Sequence, residues 1–207
     1  MRLPPSAGSA SGVLPNPVGY DRLYVDLDGA LSYQQWWEGL RAGRGFVSNG
    51  PLLRCRANGQ WPGHVFQAAA GETASLRLEA ALDSRDPIAS IEVIQNGRVA
   101  RKMSFSEWKQ TGSLGTVKFD RSGWFLVRAM ADVPGTFRFA STGPFYVEVG
   151  SPSRRVSKAS AQFFLDWVRE RMGQIKLADP LQQDEVMKSH RQAERYWLEK
   201  VAQANAQ

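Results

Sequence analysis

Between Leu53 and Val149 the chain alternates apolar and polar residues in short runs separated by turn residues. In the clearest run Ala74, Leu76, Leu78, Ala80 and Leu82 lie on one side of an extended segment, with Ser75, Arg77 and Glu79 on the other. That period of two is the pattern of a strand with one buried face. Ile91 and Val93 alternate with Ser90 and Glu92, and Asn96-Gly97 supplies the pair favoured by a two-residue type I′ hairpin, with Val99 on the return strand. Leu53–Ala57, His64–Gln67, Thr116–Phe119 and Gly123–Asp132 add further strands, the last with Phe125, Val127, Ala129 and Ala131 on one face. Phe137 and Phe139, then Phe145, Val147 and Val149, complete the series, and Ser106, Glu107 and Trp108 fall in a polar connection. About seven strands at this spacing predict an immunoglobulin-like antiparallel β-sandwich over residues 51–150.

The flanks follow other periods. Met1–Gly19 is rich in Pro, Gly and Ser and reads as a connector. Leu23, Val25 and Leu27 alternate against Arg22, Tyr24 and Asp26 in one strand, closed by Asp28-Gly29. Ser32 then caps a helix whose apolar side is Trp36, Trp37, Leu40 and Ala42 and which Gly43 ends. Phe46 and Val47 begin an extended segment that Asn49-Gly50-Pro51 turns. Residues 1–50 are thus a connector plus one βα unit. Such a unit cannot bury both faces, so it either docks on the following domain or belongs to a larger α/β layer. Residues 151–207 read as two helices. The first is capped by Ser157, carries Ala161, Phe164, Leu165, Val168 and Met172, and ends near Gly173. The second opens at Asp179-Pro180 and carries Val186, Met187, Trp197, Leu198 and Val201, with a charged outer face. The expected fold class is mainly β with α appendages: a sandwich preceded by one βα unit and followed by two helices.

A 43% apolar content over 207 residues is enough for a core. The net charge of +6 allows a general attraction to polyanions, but acidic and basic residues are interleaved. Trp124, Phe125, Phe137, Phe139 and Phe145 fall where strand cores are expected, and no nucleic-acid motif is present, so nucleic acid is not an expected partner. Nor is a membrane, since no run reaches spanning length. The start, MRLPPSAGSASG, lacks the apolar core of a secretory signal, so the chain as written is expected to stay where it is made, cytoplasmic by default. Cys55, the single cysteine, is expected to be a buried, inert thiol.

No catalytic apparatus and no cofactor motif is visible. Two histidines, His64 and His190, cannot form an all-histidine metal site. The carboxylates of Asp26-Leu27-Asp28 could hold a hard cation with outside help, against the simpler reading of a solvated strand end. The run Ala7–Gly12 lacks the Lys-Ser/Thr ending of a phosphate loop. Trp61, His64 and Trp108 are the candidate ligand-binding residues. The flat faces of Trp61, Trp108 and Trp124 suit a sugar, although a core position is the commoner state of Trp in a sandwich.

The order GLRAGRGFVSNGPLLR from Gly39, IASIEVIQNGRV from Ile88 and SGWFLVRAMAD from Ser122 resembles the C-terminal part of CehA/McbA-like metallohydrolases of the polymerase and histidinol phosphatase (PHP) superfamily. In that family a β/α metal-binding barrel comes first, its last strand and helix lead through a Gly-Arg-x-Phe-Val-x-Asn-Gly-Pro segment, and a β-sandwich follows. The resemblance spans about Leu3 to Gly150. It implies that the βα unit is the end of a barrel and that the chain is a truncated or split product of such a protein. The family's His-x-His motif is missing, and where its last Asp-x-His pair would fall there is only Pro5–Ser11, whose hydroxyls are poor substitutes. No catalytic or metal-binding residue carries over. The resemblance implies a non-catalytic accessory sandwich, inactive alone, with a barrel-domain partner in a split metallohydrolase as one possibility and export as a feature of full-length relatives. The alternative is a stand-alone module that binds carbohydrate or another protein.

Overall fold

A computed structural model describes residues 2–10, 17–150 and 156–206. Two compact units result, Met1–Ser153 and Arg154–Gln207. The first holds β1 (Arg22–Val25), α1 (Tyr33–Arg41), β2 (Gly45–Ser48), β3 (Leu52–Ala57), β4 (Val65–Ala68), β5 (Ala74–Asp83) and β6 (Ile88–Gln95). It continues with β7 (Arg98–Met103), α2 (Phe105–Thr111), β8 (Thr116–Phe119), β9 (Gly123–Ala131), β10 (Phe139–Thr142) and β11 (Phe145–Val149).

Strand β9 organises the larger sheet. One edge pairs antiparallel with β6, which carries β7 beyond it. Its other edge is shared: β11 pairs along Gly123–Phe125 and β10 along Arg128–Met130. The chain breaks between those two strands at Gly143-Pro144. Beyond β10 come β2 and then β1, both antiparallel, whereas β4 joins β11 in parallel. The smaller sheet runs β3-β5-β8. The two sheets face each other across one core, which combines Leu53, Cys55, Leu76, Leu78 and Phe119 of the smaller sheet with Ile91, Val93, Phe125, Val127, Phe145 and Val147 of the larger. Phe125 and Phe145 stack at its centre with ring centroids 4.8 Å apart. This is the expected β-sandwich, in a chain that is mainly β.

Local chemistry explains most of the elements. Asn96 and Gly97 both take positive φ (52° and 84°) in the β6–β7 turn, as a type I′ hairpin requires. Ser32 caps α1 by accepting a hydrogen bond from the Gln35 N–H at 3.2 Å. The βα unit docks on the sandwich: β1 hydrogen-bonds antiparallel to β2, so one sheet runs across the boundary expected at residues 50 and 51.

Several expectations are corrected. The supposed connection at Ser106–Trp108 is helix α2, started by a capping box in which Ser104 and Glu107 satisfy each other's backbone N–H groups. Phe137 lies outside β10 and is exposed. The strand begins only at Phe139, because the Asn49 side chain donates to the Phe137 carbonyl at 3.0 Å and accepts from the Phe139 N–H at 2.8 Å. Ser90 and Glu92, which alternate with Ile91 and Val93, are buried as well, and Arg128 and Lys102 reach the Glu92 carboxylate from neighbouring strands. Strand β1 stops at Val25, two residues before Leu27. Of the Ala7–Gly12 run, Ser11 and Gly12 lie outside the described residues.

The second unit is a helical hairpin of α3 (Lys158–Gln174) and α4 (Pro180–Ala202). Helix α3 passes Gly173 and ends at Gln174. Phe164 stacks on Trp197 at 4.7 Å, and Arg169 pairs with Glu194 at 2.8 Å. Among the described residues no helix is long and apolar enough to cross a membrane.

Candidate functional site

Trp61, His64 and Trp108 do not form one platform. Trp61 and His64 stand at the two ends of one turn, the Trp61 carbonyl accepting from the His64 N–H at 3.3 Å. His64 is exposed and sits edge-on to Phe66, with centroids 4.6 Å apart. Trp108 is elsewhere, on α2. It packs against the sandwich core and stacks on Phe105 at 5.6 Å, and its indole N–H is buried without a hydrogen-bond partner. Trp61 is half-buried. The Arg56 guanidinium covers one face of its ring at 3.6 Å, and its N–H donates to Asp28 at 3.3 Å.

That last contact leads to a charged seam. Asp26 and Asp28 follow the end of β1, while Arg54 and Arg56 stand on β3, an edge of the smaller sheet. The spacing of two residues is the same on both segments, so the charges meet in matching pairs: Arg54 with Asp26 at 3.6 Å and Arg56 with Asp28 at 3.7 Å. The carboxylates considered as a cation site therefore face guanidinium groups. Among the described residues no group of three or more His, Cys, Asp or Glu is arranged to hold a metal ion.

The two pairs are unequal. Asp28 is largely exposed, whereas the Asp26 side chain is only 4% exposed and its Oδ2 has no hydrogen-bond partner. Burial raises the Asp26 pKa above the ordinary carboxylate value; Arg54 and Arg56 oppose this, and Asp28 adds to it. Asp26 lines a cavity of about 460 Å³ between the sheets, with Tyr24, Phe46, Leu52 and Leu82 as its apolar wall. A second cavity of about 280 Å³ shares Arg54 and Ala81 with it and reaches Trp61. Cys55, between the two arginines, points into the core, and burial pushes its thiol pKa far up, with Asp26 and Glu79 adding. It is no nucleophile in this state.

Of the three candidate residues only Trp61 borders this seam. In the sequence Asp26 reads as half of a possible cation site, and nothing local marks Arg54 and Arg56 as its partners. The available signal was the matched i, i+2 spacing of opposite charges, which acquires meaning only once β1 and β3 are known to be neighbours.

Fold and site together describe a mainly-β sandwich with an apolar, charge-rimmed seam. No family model matches the chain, and no curated protein matches it. Among solved structures, it is similar to the fibronectin(III)-like modules of Clostridium thermocellum CbhA, at 16% identity and a TM-score of 0.30, covering 48% of this chain and 99% of that one.

Proposed function

We propose that this chain is a non-catalytic binding module whose ligand lies in the seam between β1 and β3. The observation that carries this reading is the cavity of about 460 Å³ bordered by Asp26, a buried carboxyl with an unpartnered oxygen. Oδ2 itself is sealed from solvent; the other oxygen, Oδ1, meets Arg54 only at 3.6 Å, and a ligand in the cavity would donate a hydrogen bond there. The volume falls within the range of small-molecule sites, about 300–1,000 Å³. Titrating the ¹⁵N-labelled chain with glycan and fragment libraries tests the reading. Amide shifts should concentrate at Tyr24–Asp26, Leu52–Arg54 and Ala81–Asp83; shifts confined to other surfaces would refute it. Carbohydrate is the alternative ligand class, and stacking on the covered face of Trp61 would require Arg56 to leave that ring.

A second reading makes the module the accessory sandwich of a PHP-like metal-dependent hydrolase, inactive alone. The motif order from Gly39 to Asp132 supports it, as does the neighbourhood of α1, where Leu31 and Tyr33 are open to solvent and Trp37 is partly so. A barrel-domain partner would cover that surface. The purified chain should then show neither phosphoesterase turnover nor stoichiometric transition metal, and turnover with bound metal would overturn this role.

A further inference from the structure

The cavity beside Asp26 is chemically lopsided. Its charged lining is two carboxyls, Asp26 and Asp83, against one guanidinium, Arg54. Arg54 is 73% exposed and approaches Asp26 only through Nε at 3.6 Å, too far for a hydrogen bond. Its charge is spent largely on water, and among the described residues no side chain donates a hydrogen bond to the Asp26 carboxyl. Opposite stands an apolar wall that includes the Tyr24 and Phe46 rings, stacked 4.7 Å apart.

Three kinds of small ligand fit such a space differently. An anion would meet Asp26 and Asp83. A neutral polar molecule could hydrogen-bond Asp26 but would leave its charge to Arg54 and Arg56, which only partly offset its burial. An ammonium group adds a charged donor to the carboxyl where Arg54, at 3.6 Å, makes no hydrogen bond, while an apolar body displaces water from Leu52 and Leu82. We infer that the cavity takes a small organic cation, a primary amine on an apolar body, with its ammonium at Asp26. This deepens the binding reading above and rests on it. Arg54 is then a competitor for the carboxyl, held aside when the amine binds.

The test uses the full ¹⁵N-labelled chain, with hexylamine, 1-hexanol and hexanoate as probes of equal length and different charge. Hexylamine should shift the Tyr24–Asp26 and Leu52–Arg54 amides saturably at one site. Hexanol should bind at least about tenfold more weakly, a difference of about 1.4 kcal/mol, and hexanoate not at all. Asp26→Asn, which keeps the side chain's shape, should reduce hexylamine binding to the level of hexanol. Arg54→Gln should strengthen it severalfold by removing the competing cation, which gives an independent readout should Asp26→Asn lose the native spectrum. Equal binding of hexanol and hexylamine, preference for hexanoate, or weaker amine binding in Arg54→Gln would each overturn the cation assignment while leaving a binding seam. Absence of any saturable shift at these amides, with these probes and with the libraries above, would overturn both.

Discussion

Glu92 gives the sharpest test of the sandwich energetics. Its carboxylate is 6% exposed on β6 and is reached from both neighbouring strands: Arg128 of β9 donates to Oε2 at 2.6 and 3.1 Å, and Lys102 of β7 lies 3.2 Å from Oε1. The partners are far wetter, 33% exposed for Arg128 and 64% for Lys102. Removing the two ends of the pair should therefore cost different amounts. Glu92→Ala frees two cations that can turn to water, and the loss is that of charge-assisted bonds, about 1–2 kcal/mol. Arg128→Ala leaves a buried carboxylate with the flexible Lys102 and a long bond from the Ser90 hydroxyl at 3.4 Å, both on Oε1, and none on Oε2; discounting the figure for an uncompensated buried charge for these remaining partners gives about 2–3 kcal/mol. Native-state hydrogen exchange of the β6 and β9 amides reads this sheet separately from the helical unit. The Arg128→Ala cost corresponds to exchange faster by about 30- to 150-fold, at about 1.4 kcal/mol per tenfold. The pH dependence has a definite sign. Burial alone would raise the Glu92 pKa, but the hydrogen bonds from Arg128 and Lys102 outweigh it and leave the pKa below the ordinary value. The pair's contribution is then complete above the ordinary carboxylate range and is lost as the pH falls through the lowered folded value. A Glu92→Ala cost equal to or larger than that of Arg128→Ala would refute the reasoning from unequal burial.

The remaining predictions concern the two tryptophans, the seam and the edge strand. Trp108→Ala should lower stability by an amount near the low end of the about 3–5 kcal/mol of a large core truncation, since Trp108 is partly buried against the core, whereas Trp61→Ala should cost clearly less; matched losses in urea denaturation would mean that Trp61 packs as closely. Because burial raises the Asp26 pKa, the native state holds its proton to higher pH than the unfolded chain, so Asp26 loses stability as the pH rises from the unfolded value through the folded one. Asp26→Asn should accordingly gain in Tm relative to the parent from about pH 4 upward, and a gap that shrinks with rising pH would contradict this. Cys55 should resist a thiol reagent at pH 8 until denaturant opens the sandwich, and fast labelling of the native chain would contradict its burial. A methyl group at Gly45 would overlap the Tyr24 carbonyl oxygen where β1 meets β2, so Gly45→Ala should speed exchange of the β1 amides while β6 and β9 stay protected; unchanged β1 exchange would show that the edge gives way easily.

The sequence by itself determined the elements whose causes are local. The alternation of Leu76 and Leu78 with Arg77 and Glu79 dictates a strand wherever that segment lies, Asn96-Gly97 dictates a hairpin because both residues accept positive φ, and Ser32 and Ser157 cap their helices through neighbouring N–H groups. Helix α2 is equally local: its capping box is written in Ser104 and Glu107, although the polar character of the segment suggests a connection. The tertiary structure alone decided which distant segments became neighbours. Alternation cannot distinguish an open face from one covered by arginine, so the burial of Glu92 depended on Arg128 arriving from a strand 36 residues later. The division of one β9 edge between β10 and β11, the parallel pairing of β4 with β11 and the docking of β1 on β2 follow from register between remote strands. The candidate site belongs to this second kind. Asp26 and Arg54 are ordinary surface residues in isolation, and only the meeting of two sheet edges removes water from one carboxyl and leaves it facing an apolar cavity.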